Sequence, residues 1–222
     1  TPARKWGSGG LAAVWAPDNT REALFDAMQR RETFATSGPR ITVSLFGGWG
    51  FPDGSAIDPD VDALGRAYGV PMGGDLPVAP EVGLAPEFIA VAQRDPIGAN
   101  LDRIQMIKGW VDAEGVSHEA IFDLAWSDDR DIDPDTGKLS SVGSTVDPKA
   151  ATYTNEIGAP QLSAQWRDPD FDPRQEAFYY LRVLEIPTPR WSTYDALQLG
   201  IEPMEPVAIQ ERAISSAIWY QP

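Results

Sequence analysis

The sequence predicts a mainly β chain with some α, an α+β fold in which a β-sandwich follows a short strand–helix–strand fragment. Three observations predict it. A capped amphipathic helix is written between Asn19 and Arg31. From Ile41 onward the apolar spacing changes from the helical period to a period of two. Twenty glycines and 20 prolines among 222 residues then divide the chain into many short elements. The division falls at residue 40, leaving an N-terminal segment, 1–40, and a sandwich-like domain with long loops, 41–222.

Leu11 to Ala16, after Gly7, Gly9 and Gly10, is a short apolar run and reads as a buried strand. Asn19 is placed to cap the helix, with Glu22 three residues on completing a capping box. Leu24, Phe25 and Met28 share one face, and Ala23 and Ala27 keep that face close to its packing partner. Arg30 and Arg31 fall in the last turn, where cations suit the helix dipole. Thr33 to Thr36 is a second extended piece. Together these make a βαβ-like fragment, too short for a complete α/β domain, which needs helices on both faces of its sheet.

Ile41, Val43 and Leu45 then share one face of a strand. Residues 47–86 are rich in Gly, Pro and Asp and read as a long loop holding at most a short helix at Val61 to Tyr68. Phe88 to Gln93 and Arg103 to Trp110 are strands separated by the turn cluster Asp95 to Asn100, and are expected to form a hairpin. Glu119 to Trp126 and Gln161 to Arg167 alternate cleanly. Ala177 to Ile186 is almost continuously apolar and is expected as a central strand buried on both faces, with Arg182 paired to a carboxylate. The stretch from Val207 carries a short helix or loop and closes on a strand at Ile218 to Tyr220. This number of strands at hairpin spacing is the signature of a sandwich.

The composition excludes several classes. A formal net charge of −15 repels phosphate backbones, so nucleic acid is not an expected partner. Cysteine is absent, which removes disulfides, thiolate metal sites and a cysteine nucleophile. No apolar run approaches the ~20 residues that span a bilayer, and no signal peptide is expected in this stretch. A start at Thr1 is expected of a processed or proteolysed piece of something longer.

His118 is the only histidine. Metallohydrolase centres draw on several imidazoles, and a Ser–His–Asp triad needs its histidine held in a sheltered cleft. His118 lies in what reads as an exposed turn before a strand, so no catalytic residue is assigned. The acidic loop 128–137 is the metal candidate, because Asp131, Asp133 and Asp135 recur at alternate positions as in calcium loops. Thr136 stands where such a loop has glycine, and no Glu follows at the twelfth position, so a plain solvated loop competes with that reading. The glycine clusters at Gly7 to Gly10 and Gly47 to Gly50 match no phosphate-binding pattern and read as turns with positive φ. Of the eight tryptophans, Trp49, Trp110 and Trp191 lie near Gly, Pro or turn residues. Aromatic platforms bind sugars, so a non-enzymatic carbohydrate- or ligand-binding sandwich stands as the alternative to tryptophans that only fill a core.

The run Gly10 to Ile41 (GLAAVWAPDNTREALFDAMQRRETFATSGPRI) resembles the conserved segment of the domain-of-unknown-function 3604 family. The similarity continues through Gly73 to Asp75, Asp95 to Trp110, Ala151 to Asn155, Phe178 to Trp191 and Gln210 to Tyr220, and so spans nearly the whole chain. That family is similar to the polymerase and histidinol phosphatase (PHP) metallohydrolases, whose barrel binds divalent metals through His, Asp and Glu. The resemblance implies a longer, secreted or periplasmic parent that hydrolyses a phosphoester or related ester with metal-activated water. The family's histidine-bearing motifs precede the position of Gly10 and have no counterpart here. It therefore implies a C-terminal portion only: residues 1–40 as the last strand and helix of a PHP-type barrel, and the rest as an accessory β domain. Such a chain holds no cofactor of its own and is not catalytic alone. Its implied partner is the missing N-terminal barrel portion, and an oligomer is the further possibility.

Overall fold

The computed structural model describes residues 9–81 and 83–222; Gly7 and the start of the first glycine cluster lie outside them. β1 (Leu11–Val14), α1 (Arg21–Gln29) and β2 (Thr33–Thr36) come first, followed by β3 (Thr42–Gly48), α2 (Val61–Tyr68), β4 (Gly69–Pro71) and β5 (Asp75–Leu76). Next are β6 (Glu87–Gln93), β7 (Leu101–Val111), β8 (Ser117–Trp126), β9 (Gln161–Arg167) and β10 (Ala177–Glu185). The chain ends with β11 (Thr188–Pro189), α3 (Trp191–Leu199), β12 (Ala208–Ile209), β13 (Arg212–Ser215) and β14 (Ile218–Tyr220). Among the described residues these strands form a sheet of eight, a sheet of four and a two-stranded ribbon of β11 and β12. The expected mainly β, sandwich-like architecture with some helix is what forms.

The sheet of four runs β4-β3-β6-β9 and is antiparallel throughout. In the sheet of eight, β10 pairs with β7 on one side and with β13 and β14 on the other, while β7 pairs onward with β8. β13 continues to β2 and then β1, and β14 to β5. Alternation does the sorting, because successive side chains of a strand point to opposite faces. Val43, Leu45, Phe88 and Ala90 from the smaller sheet meet Leu101, Ile104, Met106, Tyr179, Leu181 and Val183 from the larger in one buried core. Phe88 lies at its centre, 4.5 Å from the Tyr179 ring and 5.8 Å from Trp166.

A polar clamp crosses this core. Lys108 of β7 and Tyr179 of β10 are directly opposite in register and share the inward face. Between them Asp168, one residue past β9, accepts a hydrogen bond from the Tyr179 hydroxyl at 2.6 Å and lies 2.6 Å from Lys108 Nζ. Lys108 also donates to Asp170 O at 2.8 Å. Burial, and then the neighbouring Asp168 charge, push the Tyr179 hydroxyl far above its ordinary range, so it stays a donor. The end of the smaller sheet is thereby tied to the middle of the larger one.

Several expectations change in the fold. The cap is Thr20 and not Asn19: Thr20 Oγ1 accepts from Ala23 N at 3.2 Å, and the helix starts one residue later than expected. Only Ala27 of α1 is buried, while Phe25 and Met28 are each 54% exposed, because the short helix touches the sheet through its small residues. Arg30 and Arg31 lie past the last turn and pair with Glu32 and Asp75. β1 and β2 pair antiparallel, unlike the strands of a βαβ crossover, although the strand–helix–strand order is as expected. The boundary at residue 40 falls between β2 and β3, and β2 is hydrogen-bonded to β13, so the N-terminal segment shares a sheet with C-terminal strands.

β6 and β7 are not a hairpin. Asp95 takes the Arg40 and Ile97 backbone N–H groups and turns the chain from the smaller sheet into the larger. β10 is central, but its residues alternate between buried and half-buried, so only one face is deeply covered. Arg182 donates to the Gln105 side chain, which reaches Asp123 in turn, so a carboxylate is one link further than expected. The long loop contains α2 at the expected residues, seated close because Gly65 has no Cβ: one placed there would meet the Phe46 ring at 2.3 Å. α3 was hidden in the sequence by Pro187, Pro189 and Gly200, which read as turn signals but here bracket a helix.

Removing one partner of the clamp strands a buried charge. Lys108→Met is expected to lower the unfolding free energy by about 3–5 kcal/mol in denaturant titrations. Adding Asp168→Asn to it should recover part of that loss, since no unpaired carboxylate then remains in the core. An additive double variant would show that the two residues act separately.

Candidate functional site

The outer face of the smaller sheet is only half covered. Thr42, Ser44 and Phe46 of β3 lie opposite Gln93, Val91 and Ile89 of β6 on that face. α2 and the 3₁₀ turn at Ser55–Ile57 close over Phe46 and Ile89. They stop there, leaving Thr42, Ser44, Val91 and Gln93 as the floor of an open cleft of about 750 Å³. Trp15, just past β1, forms one wall, and Glu32 with Arg30 and Arg66 forms another.

Glu32 organises that wall. It is 4% exposed and accepts from Arg66 Nη1 and Nη2 at 3.1 and 3.2 Å and from Arg30 Nε at 3.2 Å. Arg66 Nε reaches Asp62 at 3.0 Å. Burial alone would raise the Glu32 carboxyl, but the hydrogen bonds from Arg66 and Arg30 outweigh it and hold the group below its ordinary value. Two cations and two anions therefore cancel around the cleft. Trp15 is 40% exposed, its N–H donating to Val43 O at 2.8 Å and its ring 6.1 Å from Phe34. The indole is held in place while part of it stays open.

A second polar group gathers where β10 ends. Glu185 is 1% exposed, and its Oε1 has no hydrogen-bond partner within the described residues. Burial, followed by the Glu211 and Asp95 charges, pushes its carboxyl up to about 8, against an opposing pull from Arg94. Gln210 donates both to Glu185 O and to Asp102 Oδ2, each at 2.8 Å. Asp102 also takes Arg103 Nε at 3.1 Å and lies 2.7 Å from Arg130 Nη2. Asn100 donates to the backbone oxygens of Asn155, Ile157 and Gly158, and Ser37 hydrogen-bonds Glu211. Segments as distant as 37, 100, 155, 185 and 210 meet at this end of the larger sheet.

The residues singled out in the sequence lie elsewhere. Asp131, Asp133 and Asp135 are exposed, and Asp133 Oδ1 is taken by the backbone N–H groups of Asp135 and Thr136. Arg130 of the same loop turns inward to Asp102 and Ser127. Among the described residues no three or more Asp, Glu or His side chains are grouped to hold a metal ion, and no metal step is assigned to them. His118 is exposed, stacked on Trp110 at 5.2 Å, with Nε2 2.6 Å from Asp112 Oδ2. Trp49 packs against Phe171 and Tyr220 and bonds Pro77 O, while Trp191 lies beside Arg190. Gly50 has φ of 76°, but Gly47 and Gly48 are strand residues whose lack of Cβ admits the Phe88 ring and Tyr68 O. Trp15, Glu32 and Glu185 went unmarked; the one available signal was Asp62 four residues before Arg66 on a predicted helix.

Fold and sites together define a two-sheet β domain with a charge-balanced cleft on one side. The chain belongs to the family described as protein of unknown function (DUF3604), whose model matches residues 1–222. Neither the curated proteins nor the solved structures compared with it gave a match.

Because Glu185 takes up a proton on folding, stability falls as pH rises from about 4.5 through about 8. Its share of the slope reaches ~1.4 kcal/mol per pH unit at most. Glu185→Gln should flatten the curve of urea midpoint against pH over this window and exceed the parent's stability at pH 8.5. Equal slopes in the two proteins would mean that Glu185 is ionised at neutral pH.

Proposed function

We propose that this chain is the C-terminal accessory part of a PHP-like, metal-dependent hydrolase, supporting a catalytic barrel that belongs to the same parent and having no catalysis of its own. The observation that carries this reading is the outer face of the larger sheet. By register, Trp219, Phe178 and Glu119 lie in one row across β14, β10 and β8, and Tyr180 and Ile121 in the next. Ile214 and Ala35 extend the face across β13 and β2 toward α1. Trp219 is 42% exposed, Ile121 48% and Ile214 39%, and Met28 of α1, beside Ile214, is 54% exposed. Open hollows of about 520 and 570 Å³ lie along this face, one at Phe178 and Trp219 and one between Met28 and Ile214. Apolar patches of this kind, lying on either side of the hydrogen-bonded Arg182–Gln105–Asp123 row, suit a permanent neighbour better than water.

The family resemblance supplies the neighbour's identity, since α1 and β1 correspond there to the end of a barrel. The divalent metal, the phosphoester or related substrate and the location outside the cytoplasm belong to that proposed parent. No helix of the described residues is long and apolar enough to cross a membrane.

The purified chain should show no turnover of p-nitrophenyl phosphate with added manganese, zinc or ferrous ion. Stoichiometric, tightly held metal together with phosphatase activity would overturn the reading. A second measurement addresses the face: Ile121→Ser with Trp219→Ser should cut binding of a hydrophobic dye severalfold while shifting stability by only about 1 kcal/mol, as exposed sites do.

A further inference from the structure

We propose that the cleft beside Trp15 binds a neutral glycan. Sugar rings present a C–H face that packs on an aromatic plane and a rim of hydroxyls that needs uncharged donors and acceptors. The cleft supplies both. Trp15 offers a part-open ring whose orientation is already fixed by its bond to Val43 O and its contact with Phe34, so little ordering is left to be done on binding. The floor supplies the hydroxyls of Thr42 and Ser44 and the Gln93 amide, side chains with no hydrogen-bond partner among the described residues. A volume of about 750 Å³ holds two or three hexose rings.

Charge selects among the ligands. Arg30 and Arg66 would ordinarily suggest a phosphate or carboxylate, but Arg66 already directs three of its five N–H groups to the Glu32 and Asp62 carboxylates, which cancel its charge. Arg30 retains Nη1 and Nη2 as donors beside a carboxylate that already cancels its charge. With a formal charge of −15 on the chain as well, an anionic ligand gains nothing from this site. The tryptophans picked out in the sequence, Trp49, Trp110 and Trp191, line no part of this cleft. The proposal does not rest on the accessory role, because the cleft lies on the smaller sheet while the apolar face lies on the larger.

The test is calorimetric titration of the chain with the hexaoses of cellulose, laminarin, xylan and mannan, with an oligogalacturonate as the anionic comparison. At least one neutral hexaose should bind, at the weak affinities of about 10 μM to 1 mM that small solvated sites reach. Trp15→Ala should weaken that binding at least tenfold, and Gln93→Ala, an exposed change that leaves folding alone, about threefold or more. Trp219→Ser, on the opposite sheet, should leave it unchanged. No saturation by any neutral hexaose, binding of the anionic oligomer alone, or full affinity in both Trp15→Ala and Gln93→Ala would each overturn the proposal. The phosphatase measurements above are separate, so either reading can fail without the other.

Discussion

A lysine, an aspartate and a tyrosine hold the two sheets in one arrangement. A purely apolar sandwich tolerates small slides of one sheet over the other, because dispersion contacts are individually weak and non-directional. The Lys108–Asp168–Tyr179 clamp does not, since each atom is spoken for at hydrogen-bond distance in a nearly dry core. Tyr220 repeats the device more weakly, its hydroxyl reaching Pro173 O at 3.0 Å in the same connection from β9 to β10. Everything built on the two outer faces inherits its position from these ties.

Those faces have opposite characters for a simple reason. On the smaller sheet, α2 and its flanking turn have already covered the apolar residues, so only hydroxyls, an amide and a valine remain uncovered. On the larger sheet no helix of the described residues lies over the middle, and the half-buried Phe178 and the exposed Trp219 stand next to solvent. Glu32 links the two halves of the molecule: it sits between α1 and β2 yet takes its strongest partner, Arg66, from α2. The charge balance of the cleft is thus also a structural tie.

Much of the fold was legible where the signal is local. β9 falls at the residues its alternation marks, because a period of two survives whatever lies around it, and α2 takes the residues of the short helix allowed within the long loop. Pairing was not legible: β6 and β7 look like a hairpin in sequence, yet β6 pairs with β3 and β9 and β7 with β8 and β10, with Asp95 holding Arg40 N at the turn between the sheets. The sites fared worse for the same reason. Trp15 ends an apolar run and looks like a core residue until β2 and β3 are in place, and Glu185 looks like one more strand-end carboxylate until Glu211 and Asp95 close around it. The acidic loop stood out in sequence because its carboxylates recur at alternate positions, yet Asp133 spends its own on the local turn.

The order of strands carries a consequence for biosynthesis. β2 reaches β10 only through β13, whose residues 212–215 follow it in the chain by the whole of the smaller sheet and β10 itself. Until they emerge, β1 and β2 have each other but no sheet to join, and one edge of β10 stands bare. The smaller sheet has no such dependence, as β3, β4, β6 and β9 are complete by residue 167. A ribosome-bound chain can therefore assemble one layer early, while the other must wait for long-range closure, the slow step of any fold rich in distant contacts.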